Sequence, residues 1–181
     1  MKIYVISLDK SKCSETRMEE FDLDKILSYP QKGNSIVDKW DPTMKIYLEK
    51  NVCSSDVLLF NCGLFTVSDK VADVIEKLIP DKIERLSIEQ EGFDKHYCII
   101  NPISVVDCID MEKSKYKVYP GRKDKIQTFK EIHFKKGSIQ GEHLFRAQRC
   151  DENLFFCSEE LKNALDNCGT VGFKYDYVEE I

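Results

Sequence analysis

The sequence has no long hydrophobic run. Among its 181 residues, no stretch approaches the roughly 18 to 20 apolar residues that span a membrane. The first ten residues, MKIYVISLDK, contain only a short apolar run before Asp9, too brief for a secretory signal and without a small-residue cleavage site. We therefore expect a protein that stays in the cytosol and has no membrane partner.

The sequence also lacks a block of consecutive basic residues. Its 27 Lys and Arg residues face 32 Asp and Glu residues, which gives a net charge of −5. A protein that follows a phosphate backbone would need its cations gathered on one face by the fold, so the pattern argues against a nucleic-acid partner. The acidic balance is compatible with binding a basic protein, because complementary charge speeds encounter and adds specificity.

Several signatures of chemistry are missing as well. There is no phosphate-cradling glycine-rich loop, no Gly-x-Ser-x-Gly, no His-Glu-x-x-His and no Cys-x-x-Cys. The three histidines are far apart, so no spacing indicates a zinc site, and we expect neither a metal nor a cofactor. The eight cysteines are scattered, mostly in apolar runs, which favours reduced, buried thiols over disulfides.

The most informative stretch runs from Leu154 to Tyr177. An apolar run leads to Ser158, whose hydroxyl can accept from the free N–H groups of a helix, and Glu159 and Glu160 place negative charge at its positive end. Apolar residues then recur at i, i+3, i+4 and i+7, and Gly169 stands where a left-handed residue would close the last turn. An alternating segment completes the pattern of strand, helix and strand.

The same pattern occurs ninety positions earlier. Leu64 and Phe65 lead through Thr66 and Val67 to Ser68 and Asp69, and four apolar residues follow at the same offsets. Pro80 ends that helix, and residues 83–88 are predicted to form the following strand. An internal duplication and convergence on one good helix-capping pattern both explain the match, and the sequence leaves both open.

The rest of the chain is rich in predicted strands. Residues 97–109 form its most apolar piece and are predicted to be a central strand with a bulge or break at Pro102, which lacks an N–H. Three more strands are predicted, at 115–119, 126–134 and 142–148. We expect an α+β fold, a mostly antiparallel sheet with two or three packed helices. The main domain is predicted at 41–181, with an N-terminal strand and extension at 1–40.

Two carboxylates are the first candidates for chemistry. Asp107 and Asp110 could share a divalent cation or divide acid and base roles. In the structural alternative, they accept from backbone N–H groups of the turn that follows. Cys108 could act as a thiol nucleophile with His133 or His143 as its base, although the sequence contexts of known thiol enzymes are absent.

Arg146 is the remaining candidate. It lies inside an apolar segment, where a guanidinium normally needs a carboxylate partner, and Asp107 or Asp110 is the expected one. The structural interpretation is a partly buried ion pair that fixes two strands. The functional interpretation is a contact with an anion or a protein partner.

Several short segments carry a family resemblance through their joint order. They are Asp56–Phe60 followed by Phe65–Asp69, Tyr97–Pro102 followed by Asp107–Asp110, Leu144–Arg146, and Phe155–Lys162 with Gly169 and Gly172. In this order they resemble the eleventh immunity-protein family of bacterial polymorphic toxin systems, over roughly residues 40–178. The resemblance implies a cytosolic protein that neutralises a toxin made by the same cell or its kin, by binding and not by catalysis.

The implied partner is a cognate toxin domain, bound through an apolar centre with a polar rim. The acidic candidates for that rim, for each of which a merely solvated face is the alternative, are Glu19, Glu20, Asp22, Asp24, Glu159 and Glu160. A competing hypothesis is a small hydrolase-like or metal-binding enzyme whose pocket is lined by Asp107, Cys108, Asp110 and Arg146. A third is a structural module of a larger assembly.

Overall fold

Strands dominate the architecture of this protein. A computed structural model describes residues 1–19, 22, 24–26, 33–50, 55–59, 65–149 and 154–180, and for residues 59 and 123–125 it describes the backbone alone. In this part of the chain the strands are β1 (Lys2–Leu8), β2 (Ser14–Met18), β3 (Lys45–Lys50), β4 (Val57–Leu59), β5 (Phe65–Ser68), β6 (Ile83–Leu86), β7 (Glu89–Glu91), β8 (Tyr97–Pro102), β9 (Val105–Val106), β10 (Lys115–Tyr119), β11 (Arg122–Glu131), β12 (Leu144–Ala147), β13 (Phe155–Ser158) and β14 (Phe173–Glu180). The helices are α1 (Asp69–Leu78), α2 (Glu159–Asn167) and two short 3-10 helices, Val37–Lys39 and Pro80–Lys82. Residues 22 and 24–26 are also α-helical.

These strands form three sheets. Sheet A has five strands in the order β14-β1-β13-β12-β9, and sheet B has seven in the order β6-β8-β5-β4-β2-β3-β7. The third sheet is the hairpin β10-β11. The pairs β9/β12, β2/β4 and β3/β7 are parallel, whereas the other described pairs are antiparallel.

Both faces of each large sheet carry buried apolar residues. A central core joins side chains from sheets A and B with the inner faces of α1 and α2. A second core covers the other face of sheet B, and a third covers the other face of sheet A. In β13, for example, Phe155 and Cys157 belong to the central core while Phe156 belongs to the third. Because both faces are covered, inner strands such as Phe65–Ser68 and Phe155–Ser158 are buried at every position, without an alternation of buried and exposed residues.

The helix signals in the sequence are confirmed at α2. The Ser158 hydroxyl accepts from the N–H of Leu161 at 3.2 Å, and Glu159 and Glu160 occupy the first turn. Gly169 follows the end of the helix with a φ of +63°, in the left-handed region that glycine favours. At α1 the equivalent Ser68 makes no side-chain cap bond.

The two large sheets share one arrangement of five strands. In sheet A the order β14-β1-β13-β12-β9 contains three antiparallel pairings followed by one parallel pairing. In sheet B the order β6-β8-β5-β4-β2 contains the same sequence of pairings, and a helix follows both β13 and β5. The likeness is one of arrangement, because β1 opens the chain whereas its counterpart β8 lies in the middle.

The predicted α+β class is wrong, because the described chain is mostly β. It has fourteen strands, whereas its helices α1 and α2 have only 10 and 9 residues, and the further helical residues at 22 and 24–26 add little. Strands such as β4, β7 and β9, which have three, three and two residues, are too short to show a period in the sequence. The predicted single strand at 97–109 is in fact β8 in sheet B and β9 in sheet A, because the chain crosses between sheets just after Pro102.

Candidate functional site

Asp107 lies on the surface just after β9. Its carboxylate binds Lys135 Nζ at 2.8 Å and lies 4.0 Å from Arg149 Nε. The hydrogen bond from Lys135 is the main cause that lowers the pKa of Asp107, and the charges of Lys135 and Arg149 act in the same direction. This carboxylate is therefore ionised, and it connects the loop after β9 to the loop after β11.

Asp110 is used by the turn that follows it. Its Oδ1 accepts from the backbone N–H of Glu112 at 3.1 Å and of Lys113 at 3.3 Å, and its Oδ2 lies 3.1 Å from Lys113 Nζ. These contacts lower the pKa of Asp110, the hydrogen bond from the Lys113 side chain most of all. The carboxylate shapes a local turn, which is a common use of aspartate after a strand.

Cys108 is fully buried in the core on the outer face of sheet A. The two histidines considered as its base have other neighbours. His133 lies between Glu131 and Glu179, and the Nδ1 of His143 is 2.9 Å from the hydroxyl of Ser158. A thiol nucleophile needs access to a substrate as well as a base, and the buried position of Cys108 does not provide that access.

Arg146 is also buried, with 4% of its surface exposed. Its guanidinium lies over the ring of Phe155, 4.2 Å from the centroid, and burial lowers its pKa. The carboxylates expected opposite it, Asp107 and Asp110, bind Lys135 and Lys113. The structure thus uses Arg146 within the packing of β12 against β13 and does not bring the four candidates together.

No described feature joins the four candidates in a pocket. An open depression of about 410 Å³ is lined by Met1, Lys136, Gly137, Ile139, Gln140 and Gly141. Among the described residues, no group of three or more His, Cys, Asp and Glu side chains is placed to hold a metal ion. None of the helices in the described ranges is long and apolar enough to cross a membrane.

The N-terminal acidic candidates differ in their surroundings. Glu19 pairs with Arg17 at 3.2 Å, with 60% of its side chain exposed. Asp22 is half-buried, and its carboxylate accepts from the first N–H of β3 at 3.2 Å. Asp24 is exposed, while Glu20 lies outside the described residues.

The acidic candidates of α2 lie in its first turn. Glu159 pairs with Lys2 Nζ at 2.9 Å and thereby raises the pKa of that lysine. Glu160 has 66% of its side chain exposed and lies 3.7 Å from His143 Nδ1. Glu159 therefore ties α2 to the start of β1, whereas Glu160 faces solvent.

Asp56 is a buried charge that the sequence did not single out as a site. Only 2% of its side chain is exposed, and it accepts hydrogen bonds from Ser68 Oγ at 3.0 Å, Lys70 Nζ at 3.0 Å, Lys95 Nζ at 3.3 Å and the N–H of Val171 at 3.0 Å. Burial acts to raise the pKa of Asp56, but these hydrogen bonds and the lysine charges outweigh it and lower the pKa. Asp56 thus joins β4, α1 and the loop before β14.

A basic arm is the second feature that the sequence did not single out. We give this name to residues 113–136, which contain β10 and β11. The segment has nine Lys and Arg residues against Asp124 and Glu131, and thus carries +7. Because the whole chain carries −5, the remaining residues carry −12. The signal was present in the sequence as a charge count over a window of this length, although no block of consecutive cations marks it.

The basic arm is anchored at its root and exposed towards its tip. Phe129 and Ile132 pack against the core on the outer face of sheet A. Strands β10 and β11 pair with each other as a separate two-stranded sheet, and Gly121 makes the turn between them with a φ of +76°. Tyr116 and Tyr119 are exposed by 40% and 43%.

The end of the arm, just after β11, is connected to sheet A by Glu179 of β14. Its Oε2 accepts from the N–H of Phe134 at 2.7 Å, and its Oε1 lies 3.1 Å from His133 Nδ1. The other ring nitrogen of His133 is 3.1 Å from Glu131. The hydrogen bond to Glu179, followed by that to Glu131, raises the pKa of His133.

Comparison with known proteins identifies a family. The model of an immunity protein family, Imm11, matches residues 9–180, which is nearly the whole chain. The match begins well before residue 40, where the resemblance in the sequence starts, and thus also includes β2. No curated protein matches the chain. The family resemblance found in the sequence is confirmed, and the chain belongs to the immunity protein family Imm11.

Proposed function

We propose that this protein binds a cognate bacterial toxin domain in the cytosol and neutralises it without catalysis. The observation that carries the proposal is the match to the immunity protein family over residues 9–180. A binding protein of this kind needs a complementary surface of standard size, about 1,600 Å² in total, and no reacting groups.

The contacts of the candidate catalytic residues support binding over catalysis. Asp107 and Asp110 hold lysines and a turn, Cys108 is buried, and Arg146 lies on Phe155. An enzyme would need such groups to converge on a cleft within reach of one substrate atom. Their present contacts stabilise loops and strand packing, which leaves the surface as the part of the molecule that meets a partner.

A growth test examines the proposal directly. The genes beside this one are searched for a secreted protein with a toxin-like C-terminal domain, and that domain is the probe, expressed from an inducible promoter in a laboratory bacterium. We expect growth arrest without this chain, normal growth with it, and co-purification of the two proteins. Continued arrest in the presence of soluble, folded chain, with no complex on size exclusion, would contradict the proposal.

A titration separates binding from catalysis. Purified toxin domain is mixed with increasing amounts of this chain, and the remaining toxic activity is measured. A binding protein removes activity in proportion to its amount and completely at a fixed stoichiometry, whereas an enzyme inactivates an excess of toxin over time. The variant Cys108→Ala should neutralise as well as the native chain, since the thiol takes no part.

A further inference from the structure

We propose that the basic arm is the element that docks on the toxin, and that it binds an acidic patch on the toxin's surface. This inference rests on the proposed function, since it names the surface through which that function works. Its basis is the separation of charge within the molecule: +7 on residues 113–136 against −12 on the remainder.

Part of the arm's charge is neutralised at its root. Lys113 pairs with Asp110, and Lys135 pairs with Asp107, at 3.1 Å and 2.8 Å. Lys115 pairs with Glu131 across the hairpin. The pairs with Asp110 and Asp107 connect the arm to the body of the protein, and the third joins its two strands, but exposed pairs of this kind add little free energy of folding.

Other cations of the arm are directed to solvent. Lys117, Lys130 and Lys136 are exposed and form no ion pair within the described part of the chain. Like charges gathered in one short segment repel one another, and a carboxylate-bearing surface would relieve that repulsion on binding. The three lysines therefore indicate that the partner's surface opposite the arm is acidic.

The aromatic residues of the arm favour a protein as the partner. Tyr116 contacts the ring of Phe129 at a centroid distance of 5.9 Å, yet 40% of it stays exposed, and Tyr119 stands beside the turn with 43% exposed. Tyrosine is enriched in protein interfaces because it offers a large contact area at a small cost in conformational entropy. Lysines alone would serve to protect the free edges of a hairpin from pairing with other strands, but that role does not require exposed tyrosines.

The negative charge of the rest of the protein makes a nucleic acid an unsuitable partner for the arm. A nucleic acid is a long polyanion, so a strand bound at the arm would continue over the body of the protein, whose residues carry −12 in sum. A folded toxin domain can place a local acidic patch against the arm and present different charge to the rest of the molecule. We therefore assign the arm to a protein partner with carboxylates opposite Lys117 and Lys130.

The test compares two double charge reversals. The arm variant is Lys117→Glu with Lys130→Glu. The matched control is Lys10→Glu with Lys39→Glu, which reverses two exposed lysines elsewhere that likewise form no ion pair within the described residues. Both variants change the net charge equally, and thermal unfolding should show that both fold like the native chain.

Binding is measured by calorimetry with the same adjacent-gene toxin domain used in the growth test. We expect the arm variant to bind about 100-fold more weakly and the control within about threefold of the native chain, since close interfacial charge pairs contribute strongly to affinity. The affinity of the native chain should fall as NaCl rises from about 50 to 500 mM, and that of the arm variant should fall less. A Tyr119→Ala variant should weaken binding without changing the dependence on salt.

The outcomes separate this inference from the proposed function. If the native chain binds the toxin domain and the arm variant binds it as tightly as the control, the inference is overturned while the proposed function stands. If the native chain does not bind the toxin domain at all, both fail. Binding of a 20-base-pair DNA duplex by the native chain and not by the arm variant, with toxin binding unchanged, would assign the arm to nucleic acid and overturn the inference.

Discussion

Replacing Asp56 with asparagine should destabilise the fold substantially, because the carboxylate is a buried acceptor for four donors. Asparagine keeps the shape and one acceptor oxygen, which can still serve Ser68 and Lys95. Its NH₂ group then stands where Oδ2 accepts from Lys70 Nζ and the N–H of Val171, both at 3.0 Å. The new NH₂ group is a donor that faces two other donors, so neither Lys70 nor the N–H of Val171 keeps its acceptor.

The magnitude of this loss follows from the exposure of each partner. An unsatisfied N–H of Val171 costs about 1 to 2 kcal/mol. Lys70 has 46% of its side chain exposed and can turn to water, so its contact adds only about 0.5 to 1 kcal/mol after screening. The total is about 1.5 to 3 kcal/mol, which for a chain of this length lowers the Tm by about 3 to 12 °C.

Thermal unfolding followed by circular dichroism measures this loss, with Asp73→Asn as the control. Asp73 is 68% exposed and pairs with Arg85, so its replacement should cost less than about 0.5 kcal/mol. Folding lowers the pKa of Asp56, so its contribution is present above the unfolded pKa of about 3.9 and is lost as the pH falls through the folded pKa. The native chain and the variant should therefore converge in strong acid. Equal Tm values at pH 7, or a gap that does not shrink in acid, would refute the role given to Asp56.

Three further predictions concern stability. His133→Gln should lower the Tm more at about pH 5.5 than at about pH 8.5, because the raised pKa stabilises the fold below the unfolded value of 6.5 and that contribution is lost as the pH rises through the folded value. An equal loss at both pH values would count against the contacts with Glu131 and Glu179. Ser158→Ala should cost about 1 kcal/mol by removing the cap of α2, measured by urea unfolding, and a loss near zero would contradict the cap. Leu165→Ala, at a fully buried position of the central core, should cost about 3 kcal/mol in the same assay.

Local structure could be predicted from the sequence where neighbouring residues determine it. The cap at Ser158, the acidic first turn of α2 and the left-handed Gly169 depend on groups a few positions apart. The class of fold depends on pairing between distant segments, such as β1 between β13 and β14. Strands of two or three residues, such as Val105–Val106, leave no periodic trace, so the sequence understates the amount of sheet.

The structure of the candidate site depends on which charged side chains lie next to each other in the fold. Asp107, Asp110 and Arg146 have the residue types of an ion pair, but the sequence could not show that each carboxylate lies beside a lysine of its own. Arg146 instead lies on Phe155, a contact between residues of two paired strands. The residue types that predicted one polar cluster thus take part in three separate contacts among those that the structure describes.

The net charge of the chain is a poor guide to its partner, because it is the sum of two unlike regions. A value of −5 suggests a basic partner, yet it combines +7 on the basic arm with −12 on the rest. Charges interact over about 8 Å at physiological ionic strength, so a partner responds to the region that it approaches and not to the total. A toxin domain that covers the arm and part of the body must therefore carry acidic groups opposite the arm and basic or neutral groups beyond it. This requirement on the toxin is more specific than a single sign of charge. It is also why reversing two lysines on the arm should weaken binding of the toxin, whereas reversing two lysines elsewhere should not.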